Sequence, residues 1–333
     1  MKKHVLLLVL LVSQIVISQT DIEQILETGV ESANTFSKDY FESSGEFLVN
    51  AMTNGWFSTA KTKRPWRFDV GFVGNLSFIR EDKRSFILRT QEYDNLTLSN
   101  GQTSAQTASA LGVNTEEVVV IINAGQQTQT SITLPNGLTN NEIKSFPSGF
   151  LQASMGFTNT TDIIVRFLPK MTVQDNAKVQ VYGFGLQHEI SKWVYRLKRW
   201  PVHISALVGY TNIKGFYDAN NNTTIAGTDQ EVIVSTDSWL ITGIASTKFP
   251  ILNFYGGLGF YFGTSNADLL GTYEIQGGPF AADIVEDPIS VQNKTNGMRA
   301  TFGTSVKFGF FDANLDYSFQ NYSNISLGLK ARL

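Results

Sequence analysis

Apolar and polar side chains alternate almost without a break over residues 298–333, and this pattern limits what the chain can fold into. Successive side chains of a β-strand point to opposite faces, so each alternating segment predicts a strand with one apolar and one polar face. Three such segments follow one another, at residues 298–310, 313–319 and 325–333. Strands of this kind at the end of a chain are typical of a transmembrane β-barrel. The charged residues predicted to face the interior are Arg299, Lys307, Asp316, Lys330 and Arg332.

The composition agrees with a chain that meets lipid through strands. Charged residues make up 17% of the 333 residues, below the roughly 25% of an average soluble domain, and Phe alone accounts for 24 residues. The longest apolar run after the N-terminus covers residues 118–122, whereas a transmembrane helix needs about 20 residues. A net charge of −3 argues against a nucleic-acid partner.

The N-terminus carries the pattern of a secretory signal peptide. Lys2 and Lys3 precede an apolar stretch at residues 5–17, which is too short to span a membrane. A small residue at position 18 predicts cleavage there, so residues 1–18 form the signal peptide and residues 19–333 the mature chain. With the predicted barrel, this export signal indicates the outer membrane of a Gram-negative bacterium and contact with its lipid.

Residues 20–55 are predicted to be helical. Thr20-x-x-Glu23 and Ser43-x-x-Glu46 are two capping boxes, each followed by apolar residues at helical spacing. An apolar stripe on each helix must be buried somewhere, so we expect residues 19–62 to plug a barrel formed by residues 63–333. A small helical pair packed on a larger unit is the alternative. The candidate plug contacts to a ligand are apolar residues beside the predicted lumen: Phe36, Tyr40, Phe47 and Trp56.

The alternation predicts an antiparallel, all-β transmembrane barrel of about 12 strands, within a range of 10–14. The count includes a weak strand at residues 85–93 and one strand within the polar stretch 94–148. If the C-terminus lies on the periplasmic side, the long connections 215–237 and 262–297 fall outside. The basic, aromatic connector 190–200 then falls on the periplasmic side, where we expect it to lie in the membrane interface.

Four segments carry a family resemblance: NGWFSTAK at residues 54–61, RFDVGF at 67–72, VRFLPK at 165–170 and YGFGLQHE at 182–189. They resemble an uncharacterised family of Gram-negative outer-membrane barrels whose function is unknown. In overall plan, a helical N-terminus followed by a barrel, the chain is also similar to the long-chain fatty-acid transporters. It lacks the Asn-Pro-Ala segment that opens the plugs of those transporters, and it ends in Leu333 rather than an aromatic residue.

The sequence offers little for catalysis or metal binding. His188 and His203 flank the connector and could meet, but no group of carboxylates accompanies them. Ser191 lies near His188, yet the Gly-x-Ser-x-Gly motif of serine hydrolases is absent and the chain has no cysteine. We therefore predict no enzyme activity, no cofactor and no metal site.

Three functional hypotheses follow. The first is an outer-membrane barrel that transports or binds a hydrophobic small molecule. The second is an envelope scaffold or secretion-accessory protein whose long loops bind a partner. The third is a secreted soluble β-protein, since amphipathic strands also build sandwiches. This third hypothesis requires Phe302, Phe308 and Leu327 to lie in a water-free core. The substrate and the oligomeric state stay open.

Overall fold

The computed structural model describes residues 25–123, 129–137, 143–174, 177–218, 226–275 and 283–333. The predicted signal peptide and the capping box at Thr20 lie outside these residues. The strands are β1 (Phe68–Phe78), β2 (Ser85–Arg89), β3 (Leu96–Leu98), β4 (Ser104–Ala108), β5 (Val119–Asn123), β6 (Gln129–Thr133), β7 (Ser145–Gly156), β8 (Thr161–Gln174), β9 (Ala177–Glu189), β10 (Val202–Asp218), β11 (Glu231–Thr247), β12 (Leu252–Leu270), β13 (Thr272–Glu274), β14 (Ile284–Glu286), β15 (Ile289–Phe308), β16 (Phe311–Phe319) and β17 (Asn324–Arg332). The helices are α1 (Val30–Met52) and α2 (Tyr195–Lys198), with single 3₁₀ turns at Leu26–Thr28, Glu81–Lys83, Thr90–Glu92 and Ile190–Lys192.

Ten of these strands form a closed antiparallel barrel in the order β1-β17-β16-β15-β12-β11-β10-β9-β8-β7. The barrel closes because β1 pairs with β17 on one side, Asp69 opposite Arg332, and with β7 on the other, Phe68 opposite Met155. This confirms the predicted fold class. The strand count lies within the predicted range and is two below the predicted value of about 12.

Two of the predicted barrel strands instead fall in the segment between β1 and β7, residues 79–144, which we call the insertion. Here β2 pairs with β4, and β3, β5 and β6 form a second small sheet. The predicted barrel strands at residues 85–93 and within 94–148 are therefore wrong as barrel strands. They are short and find partners within the insertion, while β1 pairs directly with β7 as far as Phe78 opposite Ser145.

The outer wall of the barrel is apolar. Phe302, Phe308 and Leu327 expose 60%, 62% and 51% of their surface on this wall, so they do not lie in a core as a soluble β-protein would require. Inward-facing positions on the same strands are polar and buried, including Arg299, Asp316 and Lys330. The amphipathic pattern is thus a barrel pattern with its apolar side outward.

Several strands continue beyond their predicted ends. The strand predicted to end at residue 211 runs to Asp218, and the one predicted to end at residue 262 runs to Leu270. Most outward positions in these extensions are polar, as in the row of paired residues Asn212, Asp237 and Thr264. The alternation fades there although backbone pairing continues, which explains why the prediction stopped early.

The two barrel ends differ in their connections. At one end, called the short-turn end, the strands are joined by residues 157–160, 190–201, 248–251 and 309–310. At the other, the long-loop end, they are joined mainly by residues 79–144, 219–230 and 271–288. Connector 190–201 contains α2 and exposes Trp193, Tyr195 and Trp200 at the short-turn end. No helix in the described part of the chain is long and apolar enough to cross a membrane.

The N-terminal part forms one helix rather than the predicted pair. α1 continues through Ser43-x-x-Glu46, so this second capping box is not a helix start. The Ser43 carbonyl instead accepts a hydrogen bond from Tyr322 in the connection before β17, and Glu46 pairs with Lys83 of the insertion. Packing on both sides holds the helix continuous across a local signal that favours a break.

Candidate functional site

The N-terminal segment passes through the barrel from end to end. Near the long-loop end, Asn34 bonds to the Pro288 carbonyl in the connection before β15. Below it α1 packs on β15, β12 and β11, and the chain then continues as an extended segment. Thr62 reaches the Glu189 carboxylate near the short-turn end, where β1 begins. The lumen is therefore occupied along its length by residues of the same chain.

Trp56 sits at the middle of this path and is buried against the inner wall. A side-chain carbon on Gly185 or Gly209 would lie 2.7 or 2.6 Å from its indole ring. These two glycines on neighbouring strands, β9 and β10, therefore leave the space that the ring fills. The wall and the segment inside it are matched in shape at this level.

Two arginines of the wall hold the end of α1. Arg166 on β8 donates to the Met52 and Asn54 carbonyls at 3.1 and 2.6 Å. Arg299 on β15 donates to the Thr53 carbonyl. The last carbonyls of a helix have no partner within the helix and carry its negative dipole end, so both guanidinium groups meet complementary charge. We call Arg166 and Arg299 the arginine clamp.

The clamp is isolated from water. Arg166 and Arg299 are only 2% and 4% exposed. The Arg166 guanidinium stacks on the Trp56 ring at 3.6 Å and on the Phe150 ring at 4.3 Å, and its Nε donates to Gln152. Such stacking is specific to a planar guanidinium. The clamp therefore divides the barrel interior into two compartments.

The compartment toward the long-loop end contains an apolar cavity of about 60 Å³ between α1 and the wall. One water needs about 10–15 Å³ of such volume, so the cavity has room for a small guest. Its lining is mainly apolar, and cavities lined by apolar side chains hold water poorly. The main apolar lining residues are Phe41, Phe47, Leu48, Met52, Ile213, Val234 and Ala267.

The compartment toward the short-turn end is polar. Lys63 of the extended segment pairs with Asp69 and Asp162 of the wall at 3.0 and 3.3 Å. Burial alone would lower the pKa of Lys63, but these two carboxylates raise it above its ordinary value, so the ammonium stays charged. Glu189 accepts hydrogen bonds from Thr62 and from His203, which fixes the segment to the wall a second time.

The four predicted ligand contacts are all buried, but they occupy different places. Phe47 lines the apolar cavity, and Trp56 lines the polar compartment beneath the clamp. Phe36 and Tyr40 stack on each other, and Phe36 also contacts Phe86 of the insertion. The structure thus brings Phe36 and Tyr40 together beside the insertion at the long-loop end and separates them from Trp56. A ligand role for any of the four stays a prediction.

The two histidines do not form a common site. His188 faces outward, with Nδ1 2.9 Å from the Thr161 hydroxyl, whereas His203 faces inward and donates to Glu189 at 2.7 Å. Ser191 donates to Glu189 and not to a histidine. Among the described residues, no group of three or more His, Asp or Glu side chains is placed to hold a metal ion.

Sequence reasoning identified Arg299 as inward-facing but not as a clamp, and it missed Arg166 as a functional residue. Arg166 lies inside the VRFLPK segment, between the outward apolar residues Val165 and Phe167. A lone arginine at an inward position of a strongly alternating strand is the signal that was available. Its partner could not be inferred, because the acceptors are backbone carbonyls over 110 residues away.

A protein-family model described as a family of unknown function (DUF6588) matches residues 1–333. The chain belongs to this family. The family assignment agrees with the resemblance stated for the four sequence segments. No curated protein matches the chain.

Among solved structures, the chain is similar to the translocator domain of autotransporter NalP from Neisseria meningitidis, at 12% identity and a TM-score of 0.26, covering 90% of this chain and 97% of that one. It is also similar to the P. putida toluene transporter TodX, at 10% identity and a TM-score of 0.18, covering 79% and 89%. The Ralstonia pickettii toluene transporter TbuX gives 9% identity and a TM-score of 0.18, covering 86% and 94%. At these values the likenesses carry no conclusion about activity.

Proposed function

We propose that this protein is an outer-membrane barrel that binds or transports a hydrophobic small molecule, with α1 and the following segment as its plug. The observation that carries the proposal is the apolar cavity between α1 and the wall, next to the arginine clamp. A guest entering from the long-loop end meets this cavity first. Passage further requires the end of α1 to leave the clamp.

Membrane insertion is supported by the outer wall. Aromatic and aliphatic side chains cover it on neighbouring strands, for example Phe184, Tyr210, Trp239 and Phe262 in one row of directly paired residues. Exposing such a surface to water would be strongly unfavourable, at about 25 cal/mol for each Å². Lipid removes this cost, and closure of the barrel leaves no unpaired strand edge.

The short-turn end is proposed to face the periplasm, because periplasmic turns of such barrels are short. The exposed aromatic connector 190–201 then meets the inner lipid leaflet, where Trp and Tyr gather. The insertion and the N-terminal end of α1 face outward. The absence of a catalytic role is also inferred: Ser191 and the two histidines are engaged in separate structural contacts.

Cysteine labelling tests location and orientation, since the natural chain has no cysteine. Glu31→Cys is placed near the long-loop end and Asn159→Cys in the short turn 157–160, both at exposed residues. A membrane-impermeant maleimide should label Glu31→Cys on intact cells and Asn159→Cys only after the outer membrane is permeabilised. The reverse pattern would contradict the orientation, and release of the protein by carbonate washing would contradict membrane insertion.

Deletion of residues 20–55 tests the plug. Planar-bilayer conductance of the deleted chain should exceed that of the full chain, since α1 no longer fills the lumen. Equal conductance would defeat the plug. Mass spectrometry of organic extracts from the purified full chain then addresses the guest, and a lipophilic compound bound stoichiometrically is the expected result.

A surface scaffold is the second candidate function, favoured by the insertion. This insertion forms a polar cleft of about 660 Å³ at the long-loop end, bordered by Asn100, Gln106 and Glu116 among others. A deletion of residues 85–134 separates the two functions. Loss of a defined stoichiometric partner with unchanged uptake of the guest would favour the scaffold over transport.

A further inference from the structure

A second pocket lies in the polar compartment, below the clamp. It has a volume of about 190 Å³ and is bounded by the extended segment on one side and by the inner wall on the other. Trp56, Phe57 and Ile164 form its apolar side. We call it the short-turn pocket, and it is distinct from the apolar cavity beside α1.

The charges around this pocket do not balance. Five cationic side chains and three carboxylates line it, so the lining carries two more positive than negative charges. Each carboxylate already has a cationic partner: Asp69 and Asp162 pair with Lys63, and one oxygen of Asp312 pairs with Arg332 at 3.5 Å. Among the described residues, no carboxylate oxygen lies within 4.0 Å of the Lys307 or Lys330 ammonium group.

Among these cationic groups, Lys330 gives the strongest indication of a bound anion because its side chain is only 8% exposed. Its one hydrogen-bond partner in the described structure is the Ser58 hydroxyl, at 3.3 Å. Lys307 on β15 and Lys330 on β17 flank Asp312 of β16, the strand between them, in one row of directly paired, inward-facing residues. Asp69 and Asp312 attract the Lys330 ammonium group, but neither forms an ion pair with it. A buried ammonium group without a directly paired carboxylate is costly, and a bound anion would offset that cost.

We propose that the short-turn pocket binds a small organic carboxylate, with its oxygens toward the Lys307 and Lys330 ammonium groups and its apolar body against Trp56 and Phe57. The aromatic side of the pocket favours an organic anion over a bare inorganic one, because it can bury apolar surface. The Ser58 hydroxyl and the Gln187 amide supply further hydrogen-bond donors around the pocket. The inference rests on this pocket alone and does not require that the barrel transport anything.

The test uses the purified full chain in detergent and isothermal titration with sodium benzoate. Benzyl alcohol, a neutral molecule of nearly the same shape, is titrated in parallel. Benzoate should bind more tightly than benzyl alcohol, and Lys330→Met should weaken benzoate binding at least tenfold. Lys330→Arg, which keeps the charge, should retain binding. Lys294→Met, which removes an exposed lysine from the outer wall, is the matched control and should change nothing.

Several results would overturn the proposal. These are no benzoate binding, equal binding of benzyl alcohol, or benzoate binding unaffected by Lys330→Met. If Lys330→Met fails to show the heat-modified gel shift of a folded barrel, the half-buried Lys307→Met decides in its place by the same criterion. Because binding is measured in detergent, failure here leaves the conductance and labelling results of the proposed function untouched.

Discussion

The two compartments of the barrel interior hold the same segment in opposite ways. Above the clamp, α1 meets the wall through apolar side chains such as Phe47, Ile213 and Val234, with a cavity left between them. Below it, the extended segment is held by directional contacts, among them Lys63 with Asp69. Apolar contact has no preferred direction, whereas ion pairs and hydrogen bonds lose most of their strength when displaced. Directional contacts also hold α1, for example Asn34 with the Pro288 carbonyl and Tyr322 with the Ser43 carbonyl, but apolar contact forms a larger share of its packing. We therefore expect α1 to be displaced more easily than the extended segment.

The largest expected effect comes from removing the clamp. In Arg166→Gln/Arg299→Gln, three hydrogen bonds from charged donors to carbonyls of residues 52–54 are lost. Bonds to charged groups contribute roughly 1.5–3 kcal/mol each, so roughly 5 kcal/mol or more of plug attachment disappears. Single-channel recording should show openings that are absent from the natural protein. The exposed Arg67→Gln serves as the control, and a double variant that stays closed would contradict the clamp.

Glu189→Gln tests the attachment of the extended segment below the clamp. Glu189 is buried and accepts hydrogen bonds from Thr62, Ser191 and His203, besides pairing with Lys192 at 2.9 Å. Removing one partner of a buried ion pair costs roughly 3–5 kcal/mol. The unfolding temperature on heat-modifiability gels should fall by several degrees, while xenon binding in the cavity above the clamp stays unchanged. As a control, Gln180→Glu exchanges the same two residue types at an outward-facing position of β9 and should change the unfolding temperature little. An equal fall for both variants would show that the inward contacts of Glu189 are not the cause.

Filling the apolar cavity tests the packing of α1 above the clamp. Ala267 on β12 lines the cavity, and Ala267→Leu places three more carbon atoms in it. Binding of xenon, a smaller apolar guest, should weaken about tenfold in xenon NMR, which corresponds to about 1.4 kcal/mol. The unfolding temperature should stay the same or rise. Ala206→Leu adds the same carbons on the outer wall as a control, and weakening by both variants would place the xenon site elsewhere.

The fold was largely predictable because the alternating faces of a membrane barrel require an alternating pattern of apolar and polar residues. Residues such as Phe302 and Leu327 must face lipid and their neighbours must not, so the two-residue period survives along each strand. The errors arose where this rule does not operate. In the insertion, Ile87 and Val120 belong to small sheets that pack on α1 and on each other, and their local pattern resembles that of a barrel strand.

The interior was much less predictable. Phe47 and Trp56 were chosen only for being apolar and near the lumen, and the structure places them on opposite sides of the clamp. In the clamp, Arg166 and Arg299 donate hydrogen bonds to backbone carbonyls. Every residue has such a carbonyl, so the pattern of side chains cannot show which ones accept these bonds. The charge imbalance at Lys330 likewise appears only once Lys63 is seen to engage two carboxylates.

The smallest expected effect concerns Asp39, at the junction of α1 with the insertion. Burial raises the pKa of Asp39 above 3.8, and repulsion from Glu92 and Glu42 adds to this. A carboxyl whose folded pKa is raised favours the folded state most below its unfolded pKa, and this advantage is lost as pH rises through the folded value. Asp39→Asn should therefore raise the unfolding temperature slightly at pH 7, and the gain over the natural chain should vanish near pH 3.5. Glu31→Gln, an exposed acid on the same helix, is the control. A gain for Asp39→Asn that is equal at both pH values would show that the effect comes from packing and not from the charge.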